Sequence, residues 1–281
     1  MDLHTVEEVS QLGQQGRWRA GDAYLAGGTY LFAEPRPRLR RLVDLGHTGW
    51  QPLRRTPAGL EIAATCTVAE LVREITDTPL VAQCCRAFSS SPAVWRTATV
   101  GGNLCAALPI APMISLTATL DAVCLLYVPQ DGTERTMPVT RLVTGARRTA
   151  LREGELLRSV TLPGRSLAGR TAFRRASLYR LGASAALVTG LLDAWDGAVS
   201  LTVTASTVRP VRLCFGPRPD GIEVRAALER AVAPGEWCHD VYGEAAWRRH
   251  LTFRFAEEIR CELATEAGAA GEDEAEGAGK G

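Results

Sequence analysis

Two short segments, YLAGGTY at residues 24–30 and TATVGGN at residues 97–103, carry the only Gly-Gly pairs in the chain. Each pair follows a short apolar run and is followed at once by a small polar residue, Thr29 or Asn103. Paired glycines remove two consecutive Cβ atoms, so the backbone can turn with positive φ and approach a ligand closely. Consecutive N–H groups in such a turn can converge on an anion. One turn of this kind suits one phosphate, and two turns from different strands suit a pyrophosphate. The dinucleotide fingerprint G-x-G-x-x-G and the phosphate loop G-x-x-x-x-G-K-[ST] are both absent, which disfavours a doubly wound nucleotide fold. Either pair alone is also compatible with a plain β-turn.

Other function classes are narrowed by composition. The chain has 281 residues and a formal net charge of +1, with no basic excess to favour nucleic acid or an anionic membrane. Nearly all the positive charge is arginine, since Lys280 is the only lysine. No stretch reaches the ~18 apolar residues of a membrane span, and the first residues lack the basic start and apolar core of a secretory signal. A cytoplasmic location is expected. The eight cysteines (66, 84, 85, 105, 124, 214, 238 and 261) include no C-x-x-C, and the four histidines do not cluster. They read as free thiols rather than ligands of a metal or cluster. Any iron–sulfur chemistry would then have its ligands on another chain.

Along the chain, Thr5 with Glu8 predicts a capping box and a helix carrying Val6, Val9 and Leu12. Strands are expected at 23–26, 41–45 and 60–64. Thr67 predicts the cap of a helix over 68–75, and a second helix is expected over 80–88. Segment 97–104 is read as the second glycine turn, broken off by Pro109 and Pro112. A helix over 114–122 and an apolar strand over 123–128 follow, with Gln130-Asp131-Gly132 as a hairpin turn. The pattern breaks at 162–166, where we place a domain boundary. Beyond it, a sheet with helices on one face is expected. Trp247, Leu251, Phe255, Ile259 and Leu263 recur every four residues and predict a final helix packed on the core. The Gly/Ala/Glu-rich end, residues 267–281, reads as a disordered tail.

The glycine segments also resemble known motifs. LAGGTYL is similar to the A-G-G-T-D-L loop of the flavin-binding subunits and domains of molybdenum hydroxylases, a family that includes xanthine dehydrogenase. ATVGGNLCAALP resembles their A-T-I-G-G-N-x-x-x-A-x-P segment. TGARRTALREGELLRSVTLP, FRRASLYRLGASAALV, VRPVRL and DVYGEAAWRRHL resemble later family segments in the same order, so the resemblance spans residues 3–264.

This resemblance implies an α+β fold: a two-subdomain FAD-binding domain (1–164), then a smaller α+β C-terminal domain (165–266). It implies FAD as cofactor, held by Ala26, Gly27, Gly28, Thr29 and Tyr30 in one loop and by Thr99, Val100, Gly101, Gly102 and Asn103 in the other. Leu157 falls where a family residue packs on the isoalloxazine, and Arg174 where a family lysine stands near the flavin. The chain departs from the pattern at Tyr30 and Pro112, where the family has aspartates, and at Ser115, where it has proline. The implied function is electron transfer from the [2Fe–2S] centres of a small partner subunit, beside a molybdopterin-binding large subunit, through FAD to NAD⁺ or another acceptor. No general acid or base is nominated. A degenerate scaffold subunit and a standalone flavin oxidoreductase remain as alternatives.

Overall fold

A computed structural model describes residues 4–88 and 91–277, with side chains through residue 265. The first strand, β1 (Glu8–Gln11), lies where the sequence pattern predicts a helix. It pairs in parallel with β3 (Arg41–Asp44), which also pairs in parallel with β2 (Asp22–Leu25), giving the order β1-β3-β2. The expected capping box does not form. The Thr5 hydroxyl donates to the Arg36 carbonyl, and the Glu8 carboxylate sits 3.5 Å from Arg41. Val9 is 65% exposed, so the Val6/Val9/Leu12 spacing buries no helical face, and strand pairing takes the backbone instead.

A hairpin of β4 (Leu53–Thr56) and β5 (Gly59–Ala63) leads into a helical run. The run comprises α1 (Val68–Glu74), α2 (Pro79–Ala87), α3 (Pro92–Trp95), α4 (Val100–Ala106) and α5 (Pro112–Thr119). Thr67 caps α1 in a complete capping box with Glu70. Pro112 opens α5, where its missing N–H costs nothing. Next come β6 (Val123–Val128) and β7 (Thr133–Pro138), joined through the Asp131-Gly132 turn. A one-turn α6 (Val139–Leu142) leads to a small hairpin, β8 (Val143–Gly145) and β9 (Arg148–Thr149). The chain returns as β10 (Leu156–Pro163), which inserts between β5 and β6 to complete an antiparallel sheet ordered β4-β5-β10-β6-β7. Helices α1, α2, α4 and α5 share a continuous apolar core with this sheet.

After α7 (Gly164–Ala168), four strands form an antiparallel meander: β11 (Arg170–Ala176), β12 (Ala186–Leu192), β13 (Ala198–Thr204) and β14 (Val211–Pro217). Two helices, α8 (Gly221–Ala231) and α9 (Ala245–Gly277), bring a second core to one face. Leu251, Phe255, Ile259 and Leu263 form the buried stripe of α9, and Trp247 at its start stays partly exposed.

Alternation along the strands turns the opposite face toward α5, so the sheet is covered on both sides rather than one. On β12, Gly190 faces Ile259 and Leu263 of α9, while the adjacent Thr189 bonds the Thr119 hydroxyl of α5. Ser115 of α5 makes a 2.6 Å bond with Thr204 of β13. The expected disordered tail, 267–281, lies beyond the described side chains, and residues 278–281 lie outside the described residues altogether.

Candidate functional site

The two glycine segments meet, but they are built differently. The first leaves β2 at Leu25, and Gly28 takes φ +71, a left-handed conformation that L side chains rarely adopt. Phe32 and Ala33 donate back to the carbonyls of Gly28 and Tyr30, which closes the loop. Among the described residues, the N–H groups of Gly28, Thr29 and Tyr30 donate to no protein acceptor. Three consecutive unpaired donors are what an anion-binding loop requires.

The second segment is not a turn with free amides. Thr99 caps α4, and Gly101 and Gly102 are helical residues with no positive φ. The amides of Val100 through Asn103 are used within the protein. Val100 N–H donates to the Cys66 carbonyl (2.8 Å) and Gly101 N–H to the Ala64 carbonyl (2.9 Å). Gly102 N–H donates to Thr99 Oγ1 (3.0 Å) and Asn103 N–H to the Thr99 carbonyl (3.0 Å). The expectation of two equivalent grips is therefore corrected. Glycine is needed at 101 because a Cβ there would stand 2.4 Å from the Ala64 Cβ.

What the second segment offers is a side chain. Asn103 Oδ1 accepts the Met113 N–H at the start of α5 (3.0 Å). An N–H donor must face an oxygen, so the other arm of the amide is the NH₂ group, and it keeps its donors.

Gly27 sets how close the segments come. A Cβ there would lie 1.7 Å from the Thr97 carbonyl oxygen. Beside this contact opens a cleft of about 400 Å³, lined by Ala26, Gly27, Gly28, Thr29 and Tyr30 from one wall and Thr99, Gly102 and Asn103 from the other. Phe88, Val94, Leu108 and Ile110 add an apolar wall. No carboxylate, imidazole, lysine or arginine is among the lining residues.

Two titratable lining groups are held neutral near pH 7. Burial pushes the Cys105 thiol up to about 12. It also pushes the Tyr24 phenol well above its ordinary range; the Tyr24 hydroxyl donates to the Gly154 carbonyl (2.7 Å). The cleft thus offers neutral hydrogen-bond donors and apolar surface rather than acid–base machinery.

Four of the expected site residues do not line the cleft. Val100 and Gly101 are buried beneath it. Leu157 is 3% exposed within the core, paired with Leu126 across β10 and β6. Arg174 on β11 is held by Glu258 (2.9 Å) and Glu262 (2.7 Å) of α9. Conversely, Leu108, Ile110 and Ala111, with Phe88 and Val94, line the cleft without having been named as site residues, and Pro112, noted only as a departure from the family pattern, lines it too. The motif resemblance extends to Pro109, and continuing along it would have found the first of these.

Residues 2–165 match the family described as the FAD binding domain in molybdopterin dehydrogenase. The chain belongs to this family. Its flavin-domain fold extends across solved structures of low identity. Quinoline 2-oxidoreductase from Pseudomonas putida 86 is 21% identical, with a TM-score of 0.75 over 95% of this chain and 99% of that one. Reconstituted CO dehydrogenase from Oligotropha carboxidovorans is 20% identical, with a TM-score of 0.78 over 94% and 99%. A CO dehydrogenase from Hydrogenophaga pseudoflava, lacking the Mo-pyranopterin moiety, is 17% identical, with a TM-score of 0.74 over 93% and 98%. At these identities the likeness is one of fold. No curated protein sequence matches the chain. Among the described residues, no helix is long and apolar enough to cross a membrane. Nor do three or more His, Cys, Asp or Glu side chains gather into a possible metal site among them.

Proposed function

We propose that this chain is the FAD-carrying electron-transfer subunit of a molybdopterin-containing hydroxylase or dehydrogenase. The observation that carries the reading is the cleft between the two glycine segments, walled on one side by the unpaired amides of Gly28, Thr29 and Tyr30. These residues fit the proposed cofactor. A diphosphate needs several donors and no opposing carboxylate, and the lining supplies both conditions.

In this reading the Gly28–Tyr30 amides and the Thr29 hydroxyl hold the diphosphate from one wall, and the Asn103 NH₂ group reaches it from the other. The capped α4 holds Asn103 in place, and the Met113 N–H fixes which arm of its amide is presented. Phe88, Val94, Leu108 and Ile110 shelter an apolar ring from water. FAD supplies the two-electron and one-electron redox chemistry when bound. The chain's own residues bind, orient and exclude water, and the lack of a carboxylate or imidazole in the cleft agrees with a role that moves electrons without protein acid–base catalysis. The same lack weighs against a standalone oxidoreductase.

The assembly we infer places residues 1–164 as the flavin domain and 165–266 as the C-terminal domain. The partners are a [2Fe–2S] small subunit and a molybdopterin-binding large subunit. The acceptor is NAD⁺ or another oxidant. Support for the molybdopterin-binding partner comes from family membership, and from a fold neighbour that is a Cu,Mo-CO dehydrogenase. The test has two arms. The purified chain, incubated with FAD and desalted, should retain flavin absorption near one equivalent. Co-expression with its genomic neighbours should yield a complex containing molybdenum and iron, in which substrate bleaches the flavin. A chain that stays colourless after FAD addition would remove the reading.

A further inference from the structure

We propose that Arg147 is a cofactor-positioning residue that ties the two walls of the cleft together. Its backbone anchors on one wall and its guanidinium on the other. The proposal rests on the FAD reading of the cleft.

The first anchor is the bond from Arg147 N–H to the Ala107 carbonyl (2.7 Å). Ala107 ends α4, and its neighbours Ala106 and Leu108 both line the cleft. Both partners of this bond are non-glycine residues in the left-handed region, Ala107 at φ +48 and Arg147 at φ +58. Asparagine and glycine are the favoured occupants of such turn positions. Two disfavoured conformations joined by one hydrogen bond mark a constraint imposed by the surroundings.

The second anchor is on the glycine-loop wall. Arg147 Nη2 and Nη1 donate to the two oxygens of Glu34 at 2.9 and 3.0 Å, a bidentate pair. Its Cζ lies 5.8 Å from the Tyr30 ring centroid, and the Arg36 guanidinium lies over the same ring at 4.6 Å. Arg36 also donates to the carbonyls of Leu31 and Tyr30. Tyr30 and Ala33 line the cleft, so the two arginines grip the loop whose amides are unpaired. Tyr30 stands at a departure from the family pattern, and its ring provides the surface on which both cations rest.

The Arg147 side chain is not itself among the lining residues. Its effect on a bound diphosphate is therefore exerted through the loop. Arg147 and Glu34 are each 52% exposed, so salt screens the link.

The experiment measures the FAD dissociation constant and release rate, with the melting temperature of the FAD-free chain, for the wild type and three variants. Arg147→Ala should weaken FAD about tenfold, mainly through faster release, because it loses both the ion pair and the ring contact. Glu34→Gln should weaken it in the same direction by about three- to fivefold. It alters an exposed partner, so it keeps the proposal open to refutation if Arg147→Ala fails to fold. The double reversal Glu34→Arg with Arg147→Glu should recover most of the affinity, a rescue that loss of folding would not give. If Glu34→Gln tightens FAD while Arg147→Ala weakens it, Arg147 contacts the anion directly and the tie is overturned. Unchanged affinity in all variants of a chain that binds FAD overturns the tie alone. A wild type that binds no FAD overturns both this inference and the reading beneath it.

Discussion

The carbonyl oxygen of Thr97 occupies the space in which a side chain at Gly27 would begin, 1.7 Å from the Cβ position. This contact brings the two glycine segments together and leaves the cleft beside it. Gly27→Ala must push two backbones apart. The expected cost is about 3 kcal/mol, toward the upper end of overpacking effects, with loss of FAD uptake. Denaturant unfolding and flavin retention measure the two consequences.

The glycines of the second segment should separate stability from binding. At Gly101 a Cβ would meet the Ala64 Cβ at 2.4 Å and the Ala64 carbonyl oxygen at 2.7 Å. Gly101→Ala should cost about 2–3 kcal/mol. At Gly102 the only close atom is Thr99 Oγ1, at 2.9 Å. There the alanine disturbs a cap but improves helix propensity, so the stability change should stay within about 1 kcal/mol. Because Gly102 lines the cleft, FAD affinity should still fall. Equal stability losses at the two sites in thermal unfolding would contradict this.

Asn103→Asp keeps an oxygen for the Met113 N–H and replaces the NH₂ donors with negative charge. Folding stability should change by less than about 1 kcal/mol, while FAD affinity should drop at least about tenfold. Fluorescence titration of FAD reads the affinity. An unchanged affinity would remove Asn103 from the cofactor site.

Much of this was legible in the residues. The Thr67 cap, the Asp131-Gly132 turn and the four-residue stripe of α9 are local signals whose physics acts within one or two turns. The two Gly-Gly pairs located the cleft, because Cβ-free backbone marks close approach whatever the cause. The cause was less legible. A glycine needed for a neighbouring carbonyl, as at 27, reads the same as one needed for positive φ, as at 28. Whether the Val100 and Gly101 amides are spent depends on Cys66 and Ala64, which lie more than thirty positions earlier. Arg174 is claimed by Glu258 and Glu262, more than eighty positions later. The N-terminal strand was missed for a similar reason: its pairing partner, β3, is distant in sequence, whereas the capping signature is local.

Acid should loosen the flavin domain through Glu155. Burial alone would raise its carboxyl, but hydrogen bonds from the Arg135 guanidinium and the Arg152 N–H outweigh burial and hold it below the usual carboxylate value. A lowered folded-state pKa contributes stability above the unfolded value, near 4.5, and loses it as pH falls toward the folded value. Glu155→Gln should cost about 2–4 kcal/mol at neutral pH, since it strands a partly buried Arg135. It should also flatten the decline in stability below about pH 4.5. Unfolding of both proteins across pH 3–7 is the check, and parallel curves would count against it.

The asymmetry of the two walls is most directly tested by amide hydrogen exchange with and without FAD. The account predicts that exchange at Gly28, Thr29 and Tyr30 slows markedly on FAD addition. Val100, Gly101, Gly102 and Asn103, already bonded within the protein, should change little. Slowing confined to the second segment, or no slowing at residues 28–30 in a chain that has bound FAD, would contradict it.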